Sequence, residues 1–297
     1  MHSWHLALPG SLSLRITHPQ PVFDDAHARL LLSAYLPGVA FTGTPGGKVD
    51  LTVAFQESGE QRLTRKSRRV TLSGRWSGTG SLLDLIFLTY SASRLLWLRR
   101  NLYPLHSCCL GADGYVLVLG HSGAGKTSIA LNMAACGQKV FSANKTLVSM
   151  GADRSMTALA GTRTITTTAE DAARHLGARI DLLGYQNRSA WSLPDDLYAP
   201  VAPVPVRLIA VARLNDGGNR CERLSPASAV HRLHPWFLDA FNANTVLPGA
   251  VFCGTPPRGC EDRLRDSLVA VTAKIPVLML SGSMEFVSNA LEERYDV

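Results

Sequence analysis

An α/β or α+β fold with a β-rich N-terminal region is what this sequence predicts, and three observations carry the expectation. Residues 1 to about 76 contain short segments in which apolar and polar residues alternate, the period of a half-buried strand. From Leu105 onward, strand-like and helix-like stretches alternate, as they do in a layered α/β core. Between two of these lies Gly120-His121-Ser122-Gly123-Ala124-Gly125-Lys126-Thr127, preceded by the apolar run Tyr115–Leu119 and followed by Ser128–Ala135. The expected organisation is residues 1–100, a β-rich region ending in a packing helix, and residues 101–297, a core built around that octapeptide.

In chain order, Leu12–Ile16 and Val49–Phe55 alternate clearly, and Val70–Ser73 does so more weakly. Pro19 with Pro21, Thr44-Pro45-Gly46-Gly47, and Ser58-Gly59 separate them as turn signals, and Phe23–Leu36 can hold a short helix. A helix from about Ser81 to Arg100 follows, with Leu82, Leu85, Ile86, Tyr90 and Leu96 recurring on one face. Arg94, Arg99 and Arg100 stand in its C-terminal half, where positive charge suits the helix dipole.

The second region opens with strands over Leu105–Leu110 and Gly114–Leu119, joined through Asp113-Gly114, a hairpin signal. The helix after the octapeptide ends near Gly137. Lys139–Ser142 reads as a strand with Asn144-Lys145-Thr146 at its end, where ligands sit in open α/β sheets, and Leu147–Met150 as a short strand. Thr162–Thr168 is β-branched, and a helix is expected to start around Ala169-Glu170-Asp171. The stretch Asp181–Arg188 takes no clear assignment. Val206–Leu214 reads as a buried strand after a proline-rich break at 200–205. Helices are expected over Pro226–Leu233, Pro235–Phe241, Asp262–Thr272 and Met284–Arg294, with a strand at Val277–Leu280.

Strand, glycine-rich turn and helix together are the context of a phosphate-binding loop. Its glycines let backbone N–H groups face a polyphosphate, and the helix N-terminus adds partial positive charge. Gly120, His121, Ser122, Gly123, Ala124, Gly125, Lys126, Thr127 and Ser128 are therefore the expected nucleotide-binding residues, with Lys126 on the terminal phosphates and the Thr127 hydroxyl on Mg²⁺. With glycine at about 7% of residues, a chance match of the fixed positions is on the order of 1%.

Composition excludes several classes. Apolar residues at 46% and charged residues at 18% of 297 describe a globular chain, not a disordered one. The net charge of +7 concentrates in Arg62–Arg69 and Arg99-Arg100. That run suits a solvated loop or strand face better than a nucleic-acid or acidic partner, and no aromatics interleave it. The six cysteines show neither CxxC nor metal-ligand spacing, and adjacent Cys108 and Cys109 point to opposite faces of a strand. The N-terminus lacks the layout of a signal peptide. Leu82–Leu98 carries Asp84 and Arg94 and falls short of a membrane span. A soluble cytoplasmic protein with no membrane partner is expected.

From Leu105 to about Val148 the chain resembles the kinase core of the HPr kinase/phosphorylase family, which shares its P-loop arrangement with phosphoenolpyruvate carboxykinase. The family pattern is a strand beginning with His, a hairpin into GxSGxGK[ST], a helix ending in Gly, and a strand ending in two aspartates. Here these are His106, Gly114–Leu119, Gly120 to Thr127, Gly137 and the strand reaching Ser142-Ala143-Asn144. Farther on, Pro235-Trp236-Phe237-Leu238 and Pro276-Val277-Leu278 resemble homologous kinases. The resemblance implies an ATP-dependent (or GTP-dependent) kinase with Mg²⁺, acting on a hydroxyl of a protein or peptide serine or of a small metabolite. Related kinases often assemble, so a homo-oligomer is compatible with it.

The chain departs from the family where its paired aspartates fall on Ala143 and Asn144. Alanine takes no proton, and asparagine is a neutral, weaker magnesium ligand. Adjacent Lys145 puts a cation there instead, able to stabilise a transferring phosphoryl group. The candidate catalytic set is thus Lys126, Asn144, Lys145, His106, Arg163 and Arg188, with Thr127 and Asn144 as metal-holding residues. His106 matches the family's active-site histidine and also suits a buried strand; Arg163 and Arg188 suit an anion clamp or a plain surface. Two rivals stand beside the kinase: a nucleotide-binding regulatory module without transfer, and an NTP hydrolase using Asp216, two residues late for a Walker-B carboxylate. Asp181 is a weaker carboxylate candidate. His231 and His234 share a helix without an evident third metal ligand.

Overall fold

The computed structural model describes residues 2–18, 25–43, 48–60, 62–74, 78–111, 115–167, 183–185, 188–193, 195–200, 202–247 and 250–293. The chain is mixed α/β with several sheets. Strands β1 (His2–Leu8), β2 (Leu12–His18), β3 (Ala40–Thr42), β4 (Leu51–Glu57), β5 (Arg62–Lys66) and β6 (Arg69–Gly74) form a six-stranded sheet in the order β3-β1-β2-β4-β6-β5. Helices α1 (Asp25–Tyr35) and α2 (Gly78–Leu98) belong to the same region. The alternation seen in the sequence is realised in β2, whose Leu12, Leu14 and Ile16 are buried with half-exposed residues between them. The basic run forms β5, an exposed edge strand, where arginine and lysine discourage pairing with another chain.

Three corrections to the sequence reading fall in this half. The hairpin β1–β2 starts at His2, and β3 was not foreseen. Arg94 does not complement the α2 dipole from outside; it is buried and donates to the main-chain oxygens of Asp239 and Asn242. The turn signals at Pro19, Pro21 and residues 44–47 lie outside the described residues.

The second region contains β7 (Leu102–Leu110), β8 (Tyr115–Leu119), α3 (Lys126–Ala135), β9 (Val140–Ser142), β10 (Lys145–Met150), β11 (Met156–Gly161), β12 (Thr164–Thr167), β13 (Leu183–Tyr185) and β14 (Arg188–Ser192). There follow β15 (Val204–Leu214), β16 (Arg220–Arg223), α4 (Pro226–Leu238), β17 (Thr245–Leu247), β18 (Ala250–Phe252), α5 (Cys260–Thr272), β19 (Val277–Gly282) and α6 (Met284–Glu292). The main sheet runs β11-β10-β7-β8-β15-β19-β16, with β9 on β7. β8, β15 and β19 are parallel, whereas β7 is antiparallel to β8 and β10. β11 also pairs with the start of β15, so this end of the sheet curls onto itself.

Every residue of β8 is buried, as expected of a strand covered on both faces. Leu117 and Leu119 pack with residues of α4 and α5 on one side; Val116 and Val118 pack with α3 and α6 on the other. Cys108 and Cys109 divide between the same two faces, and burial pushes the Cys108 thiol up to about 12. All described cysteines are free thiols.

Helix α4 replaces the two helices expected around Pro235. Ser225 caps it by accepting from the Ser228 N–H, and the helix continues through Pro235. Proline removes one helical N–H there, but Leu233 and Phe237, both fully buried, anchor the helix on either side. A 3₁₀ turn, Asp239–Phe241, follows. The unassigned stretch contains β13 and the first residue of β14, which pair antiparallel. Edge strand β16 and hairpin β17–β18 were also not foreseen. The helix expected from Ala169 lies outside the described residues.

The two regions share a core. Leu147, Ala160, Ala243, Leu247 and Phe252 pack into the cluster formed by the first sheet and its helices. Trp97 is buried in it, with its indole N–H donating to the Pro9 carbonyl at 3.2 Å. Trp97→Ala is expected to cost about 3–5 kcal/mol by opening a cavity. Urea unfolding would show a midpoint shifted accordingly, and a loss below about 1 kcal/mol would contradict this packing.

Candidate functional site

The octapeptide leaves the C-terminal end of β8 and rests on the neighbouring parallel strands. Leu214 N–H, at the end of β15, donates to Ala124 O at 2.9 Å, and Asn215 N–H donates to Gly282 O at 2.9 Å. Two glycines are required by geometry. A Cβ on Gly120 would stand 2.6 Å from Ala212 O, and Gly125 has φ +87° with its missing Cβ position against the Leu214 side chain.

The first turn of α3 contains no acidic residue and no side-chain cap, so the positive end of the helix faces outward without internal compensation. Lys126 curls back into the loop, donating from Nζ to Gly120 O at 2.6 Å and to His121 O at 3.0 Å. Burial holds its pKa below the ordinary range, and repulsion from Lys145 adds to this. Thr127 and Ser128 are half-buried in the same first turn. A polyphosphate here would exchange the carbonyl contacts of Lys126 for phosphate oxygens.

Beside the loop, strand register assembles a row. Lys145 of β10 is the cross-strand partner of His106 of β7, and Ser107 pairs with Leu119 of β8. Lys145 and His106 therefore stand side by side on adjacent strands, and the end of β8, from which Gly120 and the loop continue, lies one strand farther on, about 10 Å from Lys145 at two strand spacings. His106 is held well below its usual value, at about 3, by burial first and then by Lys145, Lys126 and Arg94. The Asn144 amide Nδ2 donates to Ala34 O at 3.3 Å, and its side chain acts on His106 in the direction that raises the imidazole pKa, against the larger lowering causes. Asn144 thus ties α1 to the site, while Ala143 is buried.

Helix α2 completes this end. The Lys145 ammonium lies 5.3 Å from the centre of the Tyr90 ring. Arg94 donates to the Tyr90 hydroxyl at 3.3 Å and forms an ion pair with Asp239 at 3.4 Å. Burial alone would raise the Tyr90 phenol, but the Lys145 and Arg94 cations outweigh it and its pKa is lowered.

A cleft of about 1110 Å³ begins at His106 and the loop and extends along β15, β19 and α4. Asp239 lines it near Arg94, and Arg213, Arg220, Glu222 and Arg232 line it farther out. The His121 ring packs against Trp236 of α4, with centroids 4.4 Å apart and the planes tilted by 54°. The cleft exceeds what a nucleotide alone needs.

The remaining expected residues lie elsewhere. Arg163 donates to Ala199 O at 2.8 Å and stacks on Tyr198, and it is not among the cleft residues. Arg188 opens β14, but its side chain, like Asp181, lies outside the described residues. Asp216 is exposed and does not line the cleft, whereas His231 does. Among the described residues no group of three His, Cys, Asp or Glu side chains is placed to hold a metal. Tyr90, Arg94, Asp239 and Trp236 are site residues that sequence reasoning missed. The one available signal was Arg94, a lone cation inside an apolar helix.

His106 is neutral in the folded protein, and its ordinary value is 6.5. Unfolding below pH 6.5 then takes up a proton, so the stability tied to this residue is complete above that pH and is lost as pH falls toward 3. The slope is at most about 1.4 kcal/mol per pH unit. Urea stability measured at pH 7.5 and pH 5 should fall less in His106→Gln than in the parent; equal losses would contradict the assignment.

Compared with known proteins, the chain matches no family model and no curated protein. The functional reading therefore stands on the loop, the Lys145–His106–Gly120 row and the cleft.

Proposed function

We propose that the protein is an ATP- or GTP-dependent kinase that transfers the γ-phosphoryl group to a hydroxyl acceptor. The observation that carries this is Lys126, folded into a glycine loop at the end of a parallel strand and opening onto a cleft with room for a second ligand. The loop N–H groups and the α3 N-terminus bind the polyphosphate, and Lys126 neutralises its terminal oxygens. Mg²⁺ fits as an ion carried by the nucleotide, held by phosphate oxygens and the Thr127 hydroxyl, where it neutralises developing charge.

Asp239 is the carboxylate that best replaces the missing base, because it lines the same cleft as His106 and the loop. The acceptor oxygen bonds to the γ-phosphorus, the bond to the bridging β–γ oxygen breaks, and the acceptor proton passes to Asp239. Arg94 positions that carboxylate.

A second reading is a nucleotide-binding regulatory module without transfer. Buried Ala143 and the internally bonded Asn144 favour it. The hydrolase reading is weaker, because Asp216 does not line the cleft.

Purified protein with Mg-ATP and a panel of hydroxyl acceptors separates these. Lys126→Ala should lower transfer by on the order of 10² or more. Asp239→Asn should lower kcat by about 10²–10⁴ with little change in nucleotide affinity. Undiminished transfer in Lys126→Ala would remove the loop from the reaction, and tight nucleotide binding without turnover on any acceptor would establish the regulatory module.

A further inference from the structure

We infer that the acceptor is a small hydroxyl compound carrying a carboxylate or phosphate group, and that Lys145 binds that group. The inference rests on the kinase reading and specifies its second substrate.

The cations around His106 are unequally compensated; Lys145, Lys126 and Arg94 all act on this cleft-lining residue from just behind the cleft wall. Arg94 has Asp239 as its counterion at 3.4 Å. Lys126 points into the loop and is assigned to the nucleotide. Lys145 is half-buried, and among the described residues no carboxylate lies within ion-pair distance of it. Its ammonium rests on the face of Tyr90, which orients a cation without neutralising it. A half-buried cation beside two others is costly unless an anion joins it.

Position makes a ligand the natural source of that anion. Cross-strand partners share a sheet face, so Lys145 stands on the same face as His106, which lines the cleft. The row from Gly120 through His106 to Lys145 spans about 10 Å. An acceptor hydroxyl near the terminal phosphate and its own anionic group near Lys145 fit that span with a short carbon skeleton. Trp236 of α4 lines the cleft, whereas Tyr90 and Arg94 of α2 are buried behind His106 and back Lys145. Lys145 is half-buried beside His106, a position that a small molecule reaches more readily than a protein chain.

The test uses the full chain saturated with Mg-AMP-PNP, so that the loop is already filled. Glycerol, D-glycerate and glycerol 3-phosphate are then titrated by calorimetry as neutral, carboxylate and phosphate probes of one skeleton. At least one anionic probe should bind about tenfold tighter than glycerol or better, the size expected of a charge-assisted contact. The preference should vanish in Lys145→Met and persist in Lys145→Arg, with AMP-PNP affinity unchanged in both as the check on folding. Equal or absent binding of the three probes, or a preference that survives Lys145→Met, would overturn the inference. So would a Lys145→Met variant that loses affinity for AMP-PNP but not for ADP, since Lys145 would then serve the nucleotide. Anion preference without any transfer from Mg-ATP would overturn the kinase reading while leaving Lys145 as an anion site.

Discussion

Strand β7 pairs antiparallel with β8 on one side and with β10 on the other, and this double pairing places Gly120, His106 and Lys145 side by side. In the proposed reading the loop supplies the contacts to a polyphosphate. The register of β7 supplies what stands beside it: a neutral imidazole, a cation, Lys145, with no carboxylate partner among the described residues, and, through Asn144, a tether to α1. A one-residue slip in β7 would turn His106 to the opposite face and exchange the buried positions of Cys108 and Cys109. Both faces of that strand are packed, so the register is strongly held.

The electrostatics follow from that placement. Lys126, Lys145 and Arg94 all act on His106, and only Arg94 has an internal carboxylate partner among the described residues. Positive potential collected in a partly enclosed cleft attracts anionic ligands and is strengthened by the low local dielectric. The outer cleft adds Arg213, Arg220 and Arg232 against Glu222. Together with the uncapped N-terminus of α3, these groups are what support the proposed binding of a polyanion. The proposed transfer depends on a carboxylate, and Asp239 reaches the cleft from a turn far from the loop in sequence.

The N-terminal region is part of this site. Its helix α2 brings Tyr90 under Lys145 and Arg94 against Asp239, and α1 receives the Asn144 amide. Its hydrophobic cluster continues into Leu147 of β10 and the β17–β18 hairpin. A boundary at residue 100 marks a change of sheet, with the hydrophobic core continuous across it.

The octapeptide, its flanking strand and helix, β2, β4, β15 and the long apolar α2 were all readable in the sequence, because each rests on local chemistry: glycine conformations, side-chain periodicity, and apolar runs of the right length. What local chemistry does not encode is pairing between distant strands. The strand pairs β13–β14 and β17–β18 and the edge strand β16 are short, three to five residues each, and they become strands through a neighbour instead of through their own periodicity. The same reason explains the site. Lys126 and Thr127 could be assigned from their spacing to the glycines. Tyr90, Arg94 and Asp239 acquire meaning only when α2 is folded against the turn after α4, and Arg163 loses its expected role when its guanidinium meets Ala199 and Tyr198. The sequence by itself determined a glycine-rich turn between a buried strand and a helix, with Lys126 and Thr127 at its end; the tertiary structure decided its company, because charges far apart along the chain meet only after the sheet has closed.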